Sequence, residues 1–205
     1  MKRTIAPLVL ALITLAGARA DVTMEQKMES PMQSGTMTVR IKGDRMRTDM
    51  PAQNMSAIMD FKSREMITLM HAGKMAMTMP LPSTNQVAEA AAHVEKPKPT
   101  GRTEKVGEWN CEVLELTMPS GKTLLWVAKD FPNYSALKKE LDLTTRDAPG
   151  GAFDVDGMVV RTETEMGGAK VKTELVSVKT DAIADSEFVV PAGYQTMPVP
   201  SPAGK

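Results

Sequence analysis

Lys74-Met75-Ala76-Met77-Thr78-Met79 places a methionine at every second position, and Met46-Arg47-Thr48-Asp49-Met50 repeats the motif with polar residues between. Successive side chains of a strand point to opposite faces, so each run sends its methionines to one side of a sheet. Six short segments in the first third of the chain follow this period. Of the 18 methionines, thirteen lie between Asp21 and Met79 and four lie after it. The second half uses Val, Leu and Trp for its inward positions. The first six strands therefore carry a distinct, thioether-rich inner surface.

Alternation and turn residues predict eleven strands. The first six are 22–28, 36–42, 45–50, 55–61, 65–70 and 74–79, separated by short turns such as Gly43-Asp44 and Ala72-Gly73, an antiparallel meander. Residues 80–100 break the pattern. Pro80, Pro82, Pro97 and Pro99 bracket an alanine-rich stretch, Gln86 to Glu95, that suits a short helix in a surface crossover. Strands resume at 102–106, 110–117 and 122–129. Asn133 then caps a helix over 133–143, with Tyr134, Leu137 and Leu141 recurring at helical spacing. Two final strands, 158–166 and 169–178, meet at Gly167-Gly168. The tail 191–205 is proline-rich and reads as extended or disordered.

Residues 1–20 have the layout of a secretory signal. Lys2 and Arg3 precede the apolar stretch Leu8–Leu15, and Ala18-Arg19-Ala20 supplies the small-x-small cleavage site before Asp21. No later segment approaches the roughly 18–20 apolar residues of a membrane-spanning helix. No cysteine stands near the cleavage site to carry a lipid anchor. The expected product is a soluble periplasmic or secreted protein of one domain, 21–190, followed by its tail. The full chain balances 25 Lys and Arg against 25 Asp and Glu, and the signal removes three of the basic residues. That acidic balance and an aromatic content of 4% argue against nucleic acid as a partner.

Candidate chemistry is sparse. Ser120-Gly121-Lys122-Thr123 resembles the end of a phosphate loop, but Leu116 stands where the earlier glycine belongs. Asp154-Val155-Asp156-Gly157 starts like a calcium loop, but its glycine falls too early and Met158 replaces an oxygen ligand. Asn54-Met55-Ser56 and Asn133-Tyr134-Ser135 are glycosylation sequons only in a host that modifies asparagine. His71 and His93 read as isolated surface histidines, and Cys111 as a buried, inert thiol that has no partner for a disulfide. No nucleophile elbow, zinc motif or carboxylate pair accompanies them, so no enzyme and no cofactor are expected.

The methionines leave three readings. They could fill an ordinary core, since methionine adapts to irregular gaps. They could line a pocket for flexible apolar ligands. They could also bind Cu(I), because thioethers are soft donors. For the metal, Met75, Met77 and Met79 share a face with His71 nearby, although alternate strand positions lie about 6.5–7 Å apart.

Three stretches carry a resemblance. Ile41-Lys42-Gly43-Asp44-Arg45-Met46-Arg47, Val106-Gly107-Glu108-Trp109-Asn110-Cys111-Glu112 and Phe188-Val189-Val190-Pro191-Ala192-Gly193-Tyr194 resemble an exported bacterial family known as domain of unknown function 4412. That family is similar to the LolA, LolB and LppX lipoprotein carriers. The resemblance implies a half-barrel, an eleven-stranded antiparallel sheet around a helical lid, with an apolar cavity for acyl chains. It brings no catalytic residues. Such carriers are richer in aromatic and branched residues, whereas this chain offers methionine.

The expectation is thus a mainly β, LolA-like half-barrel that binds lipid or an acylated protein, with transient contact to a membrane surface or a partner protein. Met37, Met46, Met59, Met66, Met75, Met77, Met79 and Trp126 are the expected cavity lining, and Leu137 and Leu141 face the sheet from the lid. A Cu(I) protein and a structural domain with a filled core are the alternatives.

Overall fold

The alternation over residues 22–79 is realised as six consecutive antiparallel strands in the computed structural model, which describes residues 21–31, 33–92, 95–118, 121–145, 155–166 and 168–198. They are β1 (Val22–Glu29), β2 (Ser34–Lys42), β3 (Arg45–Met50), β4 (Met55–Asp60), β5 (Glu65–Met70) and β6 (Met75–Pro80). Their registers run without a shift from β1 through β6. The turns before β4, β5 and β6 each end on a left-handed residue, Asn54 (φ 53), Arg64 (φ 59) and Lys74 (φ 45). Such closing residues fix loop length, and loop length fixes which residues pair.

The second half forms β7 (Lys98–Val106), β8 (Trp109–Met118), β9 (Gly121–Ala128), β10 (Met158–Met166) and β11 (Ala169–Lys179). With the first six and a short last strand, β12 (Gln195–Pro198), they make one open, curved sheet in the order β12-β6-β5-β4-β3-β2-β1-β11-β10-β9-β8-β7. The two meanders join at a seam where β1 pairs with β11. Residues 81–97, with helix α1 (Thr84–Ala92), carry the chain from β6 near one edge to β7 at the other.

Two expectations are corrected. The sheet has twelve strands, because β12 (Gln195–Pro198) forms within the stretch read as a tail. It is also mixed rather than wholly antiparallel, since β12 runs parallel to β6. β12 also runs in the same direction as β11, and residues 180–194 make the long crossover between those two strands that such a connection needs. Strand β7 starts earlier than the prolines implied. It is one of the two edges of the sheet and carries an irregularity between Pro99 and Thr103, where a missing donor is tolerated. The second helix, α2 (Tyr134–Thr145), follows Asn133, whose carbonyl accepts from the amides of Ala136 and Leu137. The signal segment, His93 and the residues beyond 198 lie outside the described residues.

The core has three parts. The largest joins Val22, Met24, Val39 and Ile41 to Leu137 of α2 and to Val113, Trp126 and Val160 of the second meander. A smaller cluster gathers Leu114, Leu116, Leu125 and Val127 with Val155. The third lies on β4–β6, where Ile58, Leu69 and Ala76 are covered by Ile183 and Phe188 of the segment that leads to β12.

That covering segment is also pinned by charge. Lys42 Nζ donates to the Ile183 carbonyl at 2.5 Å, Arg45 pairs with Asp185 at 2.6 Å, and Arg47 donates to the Glu187 carbonyl at 2.8 Å. The Arg45 guanidinium also lies 5.1 Å from the centre of the Phe188 ring. Alternate positions of β2 and β3 thus point their basic side chains at this cover.

Candidate ligand-binding face

The unbroken register from β1 to β6 puts twelve methionines on one face of the sheet. Met46, Met59, Met66 and Met79 stand directly opposite one another across β3, β4, β5 and β6. Met50, Met55, Met70 and Met75 form a second such row. Between the rows run Thr48, Ala57 and Thr68, ending at Met77, which faces Met197 on β12. Opposed side chains have Cβ atoms about 4.5–5.5 Å apart, so each row is a continuous ridge. The ridges are four residues apart along a strand, about 13 Å, and Thr48, Ala57 and Thr68 between them have smaller side chains.

Burial separates the two faces of these strands. Every methionine from Met46 to Met79 is part-buried, whereas Ile58, Leu69 and Ala76, pointing the other way, are at most 2% exposed. The closed core of β4–β6 therefore lies behind the methionines.

Toward β2 and β1 the methionine face continues through Val39, Met37 and Met24 and passes beneath α2. A cavity of about 360 Å³ opens there, lined by Met24, Met37, Tyr134, Leu141, Val159 and Leu175 among others. Its size is that of a small-molecule site.

The structure divides the expected lining residues. Met37 and Leu141 line the cavity, and Met46 packs against the adjoining core, in which Leu137 is buried. Met59, Met66, Met75 and Met79 lie on the two rows beyond the cavity and Met77 between them, all on the same face. Trp126 is 2% exposed and stands apart from the cavity lining. Its indole N–H donates to Glu104 Oε2 at 2.9 Å, and the Arg161 guanidinium lies 5.4 Å from the ring centre.

His71 is neither an isolated surface residue nor a neighbour of the methionine sulfurs. Its Nε2 lies 2.8 Å from Ser56 Oγ and its Nδ1 2.5 Å from the Tyr194 hydroxyl. Ser56 is 1% exposed and alternates with Met55 and Ala57, which places this network on the face behind the methionines. The Ser56 hydroxyl donates to Asp49 Oδ1 at 2.5 Å, so the network assigns the ring proton to Nε2 and makes Nδ1 the acceptor for Tyr194. Asp49 is also bonded by Arg40 and Arg47. Burial pushes its carboxyl up, but Ser56 and the two guanidinium groups outweigh it and hold the carboxyl below the usual range.

Serine, histidine and aspartate here do not make a nucleophile. The Ser56 proton goes to the carboxylate instead of the imidazole, and the second ring nitrogen meets a phenol where a triad needs an acid. This is a clamp for the covering segment. It could not be read from the sequence, although Tyr194 closes the Phe188–Tyr194 stretch already singled out. The lone thiol is equally quiet. Cys111 is 1% exposed, and burial pushes its pKa up. Among the described residues, no three His, Cys, Asp or Glu side chains group closely enough for a metal, and no helix is long and apolar enough to cross a membrane.

The chain is similar to several solved structures. Lipoprotein LppX of Mycobacterium tuberculosis is 9% identical, with a TM-score of 0.43, over 80% of this chain and 89% of that one. The LolA superfamily protein NE2245 of Nitrosomonas europaea is 14% identical, with a TM-score of 0.33, over 83% and 89%. PNGF-II is 13% identical, with a TM-score of 0.46, over 88% of this chain; the match spans about a third, 32%, of the PNGF-II chain. No curated protein matches the chain. The family model for the domain of unknown function DUF4412 matches residues 21–194, almost the whole of the described fold, and the chain belongs to that family.

Proposed function

We propose that this protein is an exported, non-enzymatic binding protein for a flexible apolar ligand, the acyl chains of a lipid or of an acylated protein. The carrying observation is the difference in burial on β4–β6, where Ile58, Leu69 and Ala76 are covered by the segment from Ile183 to Tyr194 and the methionines on the other side are only part-buried. A soft floor of unbranched side chains adapts to ligands of differing shape. The smaller side chains between the two methionine rows form a trough in this reading, and it leads toward the cavity beneath α2, so a chain laid across the strands would end under the helix. Leu141 and Tyr134 then act as the lid. Met59, Met66, Met75, Met77 and Met79 line the trough, and Met37 and Met46 its inner end. Trp126 supports the second meander from the core.

Binding would be passive. Each methylene buried contributes about 0.8 kcal/mol, or about fourfold in affinity. Fatty acids of increasing length, displacing a fluorescent apolar probe from the purified protein, should therefore gain about fourfold per methylene until the trough is full. Affinity independent of chain length would overturn the reading. Native mass spectrometry of protein purified from its exporting host should in addition show a mass that dissociates as a lipid.

A further inference from the structure

We infer that the cavity beneath α2 selects the head group of its ligand, an uncharged one bearing hydroxyl and ester oxygens, as in an acylglycerol. The inference rests on the acyl-chain reading and names the chemistry at the end of that chain. The residues that carry it are Gln26, Thr162 and Thr173, which line the cavity together with Met24, Met37 and Leu175. Thr162 on β10 is directly opposed by Thr173 on β11. Gln26 on β1 is opposed by Met37 on one side and by Leu175 on the other, which sets it diagonal to Thr173. Diagonal neighbours lie about 7–8 Å apart, within the span of one glycerol-sized head.

All three side chains are part-buried. Among the described residues none of them has a hydrogen-bond partner, and none of their polar atoms is sealed from solvent. Nearby Thr164 differs, since its hydroxyl meets that of Thr123 at 3.0 Å. The Gln26 amide and the two threonine hydroxyls each donate and accept, so they match a head that does both. An apolar chain laid over them would leave these groups unpaired.

The charges of the lining are already matched. Arg161 holds Glu174 Oε2 from Nε at 2.9 Å and from Nη2 at 2.8 Å. Lys138 Nζ lies 2.8 Å from both oxygens of Asp142. A carboxylate, phosphate or ammonium head would enter without a counter-ion or would have to break one of these pairs. An uncharged head does neither.

Three ligands that share one palmitoyl tail separate head from chain. Monopalmitoylglycerol, palmitate and palmitoylcholine each displace a fluorescent apolar probe from the purified protein, below their critical micelle concentrations. Monopalmitoylglycerol should bind about tenfold or more tightly than either charged ligand. In the double variant Thr162→Val, Thr173→Val its affinity should fall about fivefold per hydrogen bond lost, while that of palmitate changes little. A thermal melt checks that the double variant folds, and the wild-type comparison needs no variant. Palmitate or palmitoylcholine binding as tightly as the glyceride, or a folded double variant with the wild-type preference intact, would overturn the inference. Affinity that rises with chain length but ignores the head sinks this inference alone, whereas affinity that ignores chain length sinks the acyl-chain reading beneath it.

Discussion

The Tyr194 hydroxyl lies 2.5 Å from Nδ1 of His71, a hydrogen bond that ties positions 123 residues apart in the chain. It fastens the far end of the covering segment, just before that segment enters the sheet as β12. Tyr194→Phe removes the donor and leaves a part-buried ring nitrogen without it. The expected cost is about 1 kcal/mol, which for a chain of this size lowers the Tm by about 2–4 °C. Urea unfolding checks the energy. Limited proteolysis should show cleavage within 180–194 rising before cleavage elsewhere.

Asp49 makes the clamp acid-sensitive. Its folded pKa is depressed, so the stabilisation it brings is complete above the ordinary aspartate value of about 3.9 and is lost as pH falls through the folded value. The stability difference between the wild type and Asp49→Asn should be constant at neutral pH and shrink in acid. Urea midpoints collected at intervals from neutral pH down to acid test this. A difference that grows as pH falls would contradict it.

The two faces of β5 should answer substitution differently. Leu69 is fully buried beneath the cover, and Leu69→Ala should cost about 2–5 kcal/mol. Met66→Leu, on the open face, preserves volume and should cost less than about 1.5 kcal/mol. Equal losses in urea unfolding would mean that the methionine side is as closed as the other.

Filling the trough should separate binding from folding. Ala57→Phe places a large ring in the small middle row, between Thr48 and Thr68. We expect apolar-probe affinity to fall at least tenfold while the unfolding midpoint changes little. Unchanged affinity would place the ligand elsewhere, for instance wholly beneath α2.

The methionine face was legible because a period of two, interrupted by short turns, leaves little freedom in pairing. Met46, Met59, Met66 and Met79 can be aligned by counting through the turns. The helix at Tyr134–Thr145 was legible for the same kind of reason, an apolar spacing that suits one conformation only. The covering segment had no such signal. Ile183, Phe188 and Tyr194 are spaced irregularly, and their burial comes from the sheet beneath them. Gln195-Thr196-Met197-Pro198 is short, polar and ends in proline, so nothing local marks it as a strand; its partner β6 makes it one. The engagement of His71 was invisible for want of any sequence link to Tyr194.

Strand β12 has one more consequence, for self-association. Without it, β6 would be an edge strand with an open row of amides and carbonyls beside part-buried methionines, a template on which another copy could polymerise. The chain answers with four residues of its own, and the last of them, Pro198, has no amide hydrogen to offer a newcomer. Gln195–Pro198 thus act as a chain terminator for the sheet, and a copy clipped before Gln195 would be the one that seeds fibres.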